Sequence, residues 1–569
     1  MTKKTGAQIF WECIVKENVD TVFGIPGGAT LPLYDAMLEY PIQHVHVRHE
    51  QGAAHMADGY ARASGKVGVA LATSGPGATN LVTGIATAFM DSSPIVCISG
   101  QVASQFIGYD AFQETDVTGV TLPITKHNYL VRDVNEINRV VREAFYVARS
   151  GRPGPVLIDI TKDAQQAVID WEYDDTPIKL PGYQPDLRPL ETDLQAAADM
   201  IHRAKRPLIL AGAGIMKSGA MQQVKDFAEK TLTPVAVTLL GIGSLPASHA
   251  LNIGMMGMHG DPWANHAIQE ADLLISMGMR FDDRVTGKID EYAPKAKILH
   301  FDIDSSEINK NVPTDVALIG DLKETLVNLE PYVKGCEHEE WMDKINTWKE
   351  ESARIDIQNR PHNGKLYPPH VVNDLWQYAA EDTILVTDVG QHQMWAAQYF
   401  KVEKPNHFLS SGGLGTMGFA LPAAIGAKYG QPECEVWAIA GDGGFQMTQA
   451  ELSTAAQEGI KVNIAIINNG FLGMVRQWQE LFYEKRYSAT PMGSPDFVKI
   501  AEAHGLTGIR VTDPSQVEAA IKKARETEGT VLIDFQVVPE DNVYPMVASG
   551  ARLDQMIHRP TPEGSEDHI

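Results

Sequence analysis

Short, mostly apolar runs recur along the chain, most of them stopped by glycine or a small polar residue and alternating with helical patterns. In the first third the runs are Thr21 to Phe23, Val45 to Val47, Val67 to Ala72, Ile95 to Ile98 and Val156 to Ile160. A strand buried on both faces reads this way, and strands alternating with helices predict a parallel sheet covered on each side. The alternation resumes at PLILAGAG and again at TILVTDVG. The chain therefore reads as α/β, with three doubly wound parallel-sheet domains at 1–165, 189–335 and 368–545 and a tail at 546–569. A polar, proline-containing linker, Ala164 to about Arg188, closes the first domain, and a charged helical segment, Cys336 to Arg360, leads into the third.

The pattern is sharpest between Glu435 and Arg476. Two apolar runs, Val436 to Ala440 and Val462 to Ile467, flank about four turns of helical pattern, which makes a β-α-β unit. The first run ends in Gly441-Asp442-Gly443 and the second in Asn468-Asn469-Gly470. Both polar groups leave at the carboxyl ends of parallel strands, where open α/β sheets bind ligands. The spacing 469 − 442 = 27 is one strand-helix-strand period, so a carboxylate and an amide oxygen meet in space. Hard oxygen ligands suit Mg²⁺, and glycines at a helix start admit a diphosphate. A lone GDG is an ordinary crossover turn; the paired Asn asks for more.

This pairing resembles the diphosphate-binding motif of thiamine diphosphate enzymes. The resemblance implies that Asp442, Asn469 and the main-chain carbonyl of Phe471 hold Mg²⁺, with Gly441, Gly443 and Gly444 at the diphosphate. It also gives meaning to Glu50, which follows the strand IQHVHV and lies near the start of the helix GAAHMADGYARA. By itself a Glu there complements a helix dipole. In the family an HEQGA-type Glu exchanges a proton with the aminopyrimidine ring, a general acid/base task suited to a partly buried carboxyl. By the same resemblance Gly75 of TSGPGATN lines the pyrimidine site, Phe112 and Gln113 of the long polar segment after Gly100 face the active site, and Lys162 contacts it from a loop. Gln391 and His392, after a third-domain strand, are cofactor-binding residues, Gly415 touches the pyrimidine, and Met417 is the wedge that bends the cofactor.

The middle domain opens with Gly212 and Gly214 of an incomplete Gly-x-Gly fingerprint, a weak signal alone. VTLLGIGSLP, GMMGMHG, MGMRFDDRVTG and HFDIDSSEINKN lie at later strand ends. Together with RHEQGAAHMADGYARASG, GQHQMWAAQ, GTMGFALPAAIGA and NNGFLGMVRQWQELFY they resemble the catalytic subunit of the acetohydroxyacid synthase (acetolactate synthase) family over nearly the whole chain. That likeness implies FAD bound without net redox by Arg152, Gly212, Gly214, Thr238, Leu239, His259, Arg280, Asp282, Asp302 and Asp321. It implies a substrate channel approached by Met258 and Arg284, whose guanidinium can fork onto a 2-keto-acid carboxylate, and an acceptor pocket shaped by Trp478. The implied reaction decarboxylates pyruvate and passes the hydroxyethyl unit to pyruvate or 2-ketobutyrate. A homodimer with active sites between subunits, or a larger homo-oligomer, and a small regulatory subunit are the implied partners. A flavin-dependent pyruvate oxidase of the same fold is the alternative; RFDDRVTG, GQHQMWAAQ and Trp478 favour the synthase.

Composition changes this picture little. A formal charge of −24 argues against nucleic acid, which needs clustered cations. Four scattered cysteines have no metal-ligand spacing and read as a reduced, intracellular set. No apolar run reaches membrane-spanning length, so a cytoplasmic protein is expected. The polar end of the tail is expected to be mobile.

Overall fold

The computed structural model describes residues 2–361 and 363–560; the tail end expected to be mobile falls at 561–569, outside the described residues. Three six-stranded, all-parallel sheets follow one another along the chain. The first contains β1 (Thr21–Gly24), β2 (Gln43–His46), β3 (Gly68–Ala72), β4 (Ile95–Gln101), β5 (His127–Val131) and β6 (Val156–Thr161), in the order β2-β1-β3-β4-β6-β5. The second has β7 (Pro207–Ala211), β8 (Val235–Val237), β9 (Asn252–Met255), β10 (Leu273–Met277), β11 (Lys297–Asp302) and β12 (Val316–Ile319), ordered β9-β8-β7-β10-β11-β12. The third has β13 (Ile384–Thr387), β14 (Phe408–Ser410), β15 (Val436–Gly441), β16 (Asn463–Asn468), β17 (Thr507–Val511) and β18 (Val531–Gln536), ordered β14-β13-β15-β16-β18-β17.

Counted within each sheet, the outer two share the order 2-1-3-4-6-5, while the middle one runs 3-2-1-4-5-6. The latter is the doubly wound order that binds dinucleotides where its direction reverses, here between β7 and β10.

The outer sheets pack through equivalent helices, the one after the second strand of each: α1 (Glu50–Ser64) in the first and α3 (Ala420–Gly430) in the third, with α2 (Gln391–Tyr399) between them in sequence. A Cβ on Gly59 would lie 2.0 Å from the carbonyl oxygen of Ala423, and one on Gly426 would lie 1.9 Å from that of Met56. Each glycine meets a carbonyl three residues before the other helix's own glycine (59 − 56 = 3; 426 − 423 = 3), so the contact is nearly two-fold symmetric. Only hydrogen fits there, and one apolar core runs through both helices.

Two features differ from the sequence reading. His127–Val131, at the end of the stretch read as a loop, is an edge strand; its exposed and half-buried pattern lacks the all-apolar run that marks the others. Part of the expected linker, Val168–Trp171, pairs antiparallel with Thr2–Thr5; one strand is polar, and the other is only four residues long within a polar segment. Among the described residues no helix is long and apolar enough to cross a membrane.

Candidate active site

Strands β15 and β16 are neighbours, with Gly441 opposite Ile467, so Asp442 and Asn469 emerge side by side from their carboxyl ends. Asp442 is the first residue of α4 (Asp442–Thr448). Its side chain is 1 % exposed; Oδ2 accepts the Ser494 hydroxyl at 2.7 Å, and Oδ1 has no hydrogen-bond partner. Burial raises its carboxyl above the ordinary carboxylate value. A buried acceptor left unpaired costs about 1–3 kcal/mol, and a divalent cation removes that cost. Asn469 Oδ1 accepts the Phe471 N–H at 3.0 Å.

Asp442, Asn469 and Phe471 line one cavity with Gln391, His392 and Met417. Gln391 and His392 open α2, both buried, and His392 Nε2 has no partner. Burial pushes its imidazole down to about 3, so at neutral pH it is an uncharged ring beside the turn at Gly441. The orphaned carboxylate oxygen and imidazole nitrogen fit a metal with a phosphate. The loop carrying Gly415 and Met417 is pinned by Asp388, whose carboxylate accepts the N–H groups of Val389, Gly418 and Ala420 at 2.8–3.3 Å.

None of the lining residues comes from the first domain. Glu50 opens α1, 8 % exposed, and its Oε2 accepts Asn80 Nδ2 at 2.9 Å. A helix dipole contributes at most about 2 kcal/mol at a partly buried site, and the Asn80 amide adds a hydrogen bond that helps make burial of this carboxyl tolerable. The turn before Glu50 is held from the third domain: the Glu451 carboxylate, 1 % exposed, accepts the Arg48 and His49 N–H groups at 3.0–3.2 Å and the Thr454 hydroxyl at 2.6 Å. Gly75 touches Gln113, where an added Cβ would lie 3.0 Å from Gln113 Cα. Gln113 adopts a left-handed φ of 60°, and its neighbour Phe112 is 88 % exposed. Lys162 is half-buried just after β6. Within one chain, therefore, Glu50, Gly75 and Gln113 form one group and Asp442, Asn469 and His392 another.

In the middle domain Thr238 and Leu239 follow β8, Gly212 and Gly214 follow β7, and Arg280 follows β10. Asp302 ends β11 and Asp321 follows β12, two adjacent strands. All seven residues sit at carboxyl ends along one edge of the sheet. Gly212 and Gly214 stand at the reversal point, but their missing Cβ atoms are explained by the chain itself: a Cβ on Gly212 would lie 2.3 Å from the Gly278 carbonyl oxygen. The stronger sign of a dinucleotide site is the row of carboxylates, which suits ribose hydroxyls. Arg152 reaches across from the first domain to Asp304 (3.1 Å) and Glu307 (2.8 Å), beside Asp302. His259, kept uncharged by burial that pushes it down to about 4, hydrogen-bonds the Pro545 carbonyl at 3.1 Å. Asp282 caps the turn that presents Arg284, accepting its N–H at 3.0 Å.

Arg284 lies over the Trp478 ring at 5.9 Å and places Nη1 3.4 Å from Met258 Sδ; it also sits 3.8 Å from Asp283. The three residues read as substrate-facing thus meet at one mouth. A second pocket there is lined by Met258, Arg284 and Val547, and the Val547 N–H donates to the Met258 carbonyl at 2.8 Å. Pro545 and Val547 bring this part of the chain against His259 and Met258.

Asn80, Asp388, Glu451, Gln477 and Ser494 were not singled out from the sequence. Glu451 acts on a turn some four hundred residues away, and TQAELS reads as an ordinary helix surface.

Comparison with known proteins follows the same three-part division. Residues 4–120 match the thiamine pyrophosphate enzyme N-terminal TPP binding domain, 194–329 the central domain, and 388–535 the C-terminal TPP binding domain. The chain belongs to the thiamine pyrophosphate enzymes, a class in which three sheets of this kind follow one another. Within that class it belongs with the acetolactate synthase large subunits. It is 49% identical to an acetolactate synthase of Mycobacterium bovis over 97% of this chain and 91% of the relative. With an acetolactate synthase large subunit of Corynebacterium glutamicum it shares 50% over 96% and 89%, and with a probable one of Methanocaldococcus jannaschii 46% over 97% and 95%.

Proposed function

We propose that the chain is the catalytic subunit of an acetolactate synthase, which decarboxylates pyruvate and joins the two-carbon unit to pyruvate or 2-ketobutyrate. The observation that carries the reading is the buried, partnerless Asp442 Oδ1 beside Asn469, in a cavity with the uncharged His392, on a chain whose relatives bear that name. Bound there, thiamine diphosphate supplies the electron sink that lets a 2-keto acid lose CO₂. Asp442, Asn469 and the Phe471 carbonyl would hold Mg²⁺. His392 and the turn at Gly441, Gly443 and Gly444 would hold the diphosphate, with Gln391 fixing the Asn469 amide beside them. Met417, which lines the same cavity, would support the rings of the cofactor.

Glu50, oriented by Asn80 and by the turn that Glu451 holds, would be the carboxyl that exchanges a proton with the pyrimidine ring. Arg284 forks onto the substrate carboxylate, and Met258 and Trp478 bound the space left for the acceptor side chain. FAD would lie along the middle sheet, its ribose at Asp302 and Asp321 and its remaining contacts at Arg152, Thr238, Leu239, His259, Arg280 and Asp282. Lys162, Gly75, Phe112 and Gln113 belong to the first-domain face of the active site.

That face and the Asp442 cavity are separate within one chain, which supports a homodimer with active sites between subunits. Exposed Tyr109, Phe112 and Met447 near them favour a buried interface. A small regulatory partner is proposed because relatives are named large subunits. A cytoplasmic setting is proposed from four free cysteines.

Product analysis from pyruvate plus 2-ketobutyrate, with thiamine diphosphate, Mg²⁺ and FAD, tests the reading. Acetolactate and 2-aceto-2-hydroxybutyrate are expected. Oxygen uptake or quinone reduction stoichiometric with pyruvate loss would overturn it in favour of a pyruvate oxidase.

A further inference from the structure

Asn469 is held by a relay of buried carboxamides. Its Nδ2 donates to Gln391 Oε1 at 3.1 Å, and Gln391 Nε2 donates to Gln477 Oε1 at 3.0 Å and to the Asp541 carbonyl at 3.1 Å. Gln477, on α5 (Gly473–Phe482), accepts the Val543 N–H at 2.8 Å through Oε1, and its Nε2 donates to the Val543 carbonyl at 3.1 Å. Gln391 is 3 % exposed and Gln477 0 %.

A carboxamide has one donor end and one acceptor end, so each link fixes the next. The main chain of Val543 offers one N–H and one C=O, which decides how Gln477 points. Its oxygen then requires the NH₂ of Gln391, whose own oxygen requires the NH₂ of Asn469. The Asn469 oxygen is left to the opposite side, with the Phe471 N–H. Were the relay reversed, Asn469 would turn an NH₂ group toward a cation.

We propose that Gln477 is a positioning residue for Asn469: through Gln391 it selects the amide orientation that offers oxygen to a divalent cation, so docking of segment 541–547 and cation binding strengthen one another. The proposal rests on the reading of Asp442 and Asn469 as a Mg²⁺ and diphosphate site. The coupling is reciprocal by thermodynamic necessity.

The test is Mg²⁺ dependence of thiamine diphosphate binding, followed by tryptophan fluorescence on the full chain and independent of turnover. Removing an outer partner of a metal ligand weakens metal affinity about 10–100-fold, so Gln477→Met should raise the half-saturating Mg²⁺ by about tenfold or more. Gln477→Glu keeps an acceptor for both Gln391 and Val543 and should stay within about threefold of wild type. Gln398→Met removes a different tether of the segment, the bonds to the His259 and Tyr544 carbonyls, and should also stay within about threefold. An unchanged Mg²⁺ dependence in Gln477→Met, or an equal loss in Gln398→Met or Gln477→Glu, overturns the proposal.

Hydrogen exchange on the wild-type protein keeps the question decidable if Gln477→Met does not fold. The Val543 amide should exchange more slowly once Mg²⁺ and thiamine diphosphate are added, and an unchanged rate counts against the coupling. A wild-type protein with no Mg²⁺-dependent cofactor binding removes the site reading itself, and the proposal with it.

Discussion

The first and third sheets are built to one plan, strand for strand, and they carry different chemistry at matching places. After the third strand the first domain has Thr73-Ser74-Gly75 and the third domain Gly441-Asp442-Gly443; after the fourth strand come the loop of Phe112 and Gln113 and the loop of Asn469 and Phe471. After the second strand come Glu50 in one and Gly415 with Met417 in the other. One copy carries a carboxylate and an amide at its two central strand ends, where a cation and a diphosphate fit. The other has Thr73-Ser74-Gly75 in place of the carboxylate turn and places Glu50 after its edge strand. On the proposed reading, equal scaffolds would serve the two ends of one cofactor, with a few loop residues deciding which end each serves.

The sharpest break between the copies is kinetic. Glu50→Gln should slow C2 proton exchange in bound thiamine diphosphate by about a hundredfold or more, the scale of general acid/base catalysis, with cofactor affinity nearly unchanged. Asp442→Ala should do the reverse and lose Mg²⁺-dependent binding. Equal effects of both variants on affinity, measured by titration, would dissolve the distinction between the two faces.

The seam between the copies comes next. Gly426→Val forces side-chain atoms into the Met56 carbonyl and should destabilise by about 3 kcal/mol or more, read as a lower denaturation midpoint. A variant as stable as wild type would show that α1 and α3 do not touch as described.

His55 sits on α1 in this seam, against Phe419 at 5.3 Å, and burial pushes its imidazole down to about 4 from an ordinary 6.5. Because the unfolded chain takes up the proton first, His55 contributes stability that is present above pH 6.5 and is lost as pH falls toward 4. Relative to His55→Met, which does not titrate there, the wild type should lose about 2 kcal/mol between pH 6.5 and 5. A constant gap in denaturant melts across that range would show the ring to be solvated.

Glu451→Gln weakens the third domain's hold on the turn before Glu50 while keeping one acceptor. Loss of part of a charged hydrogen-bond set costs about 1–2 kcal/mol, and proton exchange at the cofactor should slow as Glu50 loses its position. Unaltered exchange would mean that Asn80 alone orients Glu50. The smallest effect is expected at the channel mouth. Trp478→Leu should shift the product ratio in a pyruvate and 2-ketobutyrate competition by about tenfold, the low end of what a methylene-sized contact is worth, and an unchanged ratio would remove Trp478 from acceptor choice.

The α/β class, three sheets, the Asp442 and Asn469 pairing and the helix start at Glu50 were all legible in the sequence. Each rests on something local: a run of apolar residues long enough for a doubly covered strand, or a spacing of one crossover. The strands that escaped, His127–Val131 and the pair Thr2–Thr5 with Val168–Trp171, are edge or solvent-facing and carry no such run. Tertiary structure alone decided the rest. It brought Glu451 to a turn in another domain and joined Gln477, Gln391 and Asn469 to the chain at Val543. It also set Arg284 against Trp478 and kept Glu50 apart from Asp442. Those contacts join residues tens to hundreds of positions apart, where no periodicity along the chain constrains which amide meets which carbonyl; only the packing of the sheets does.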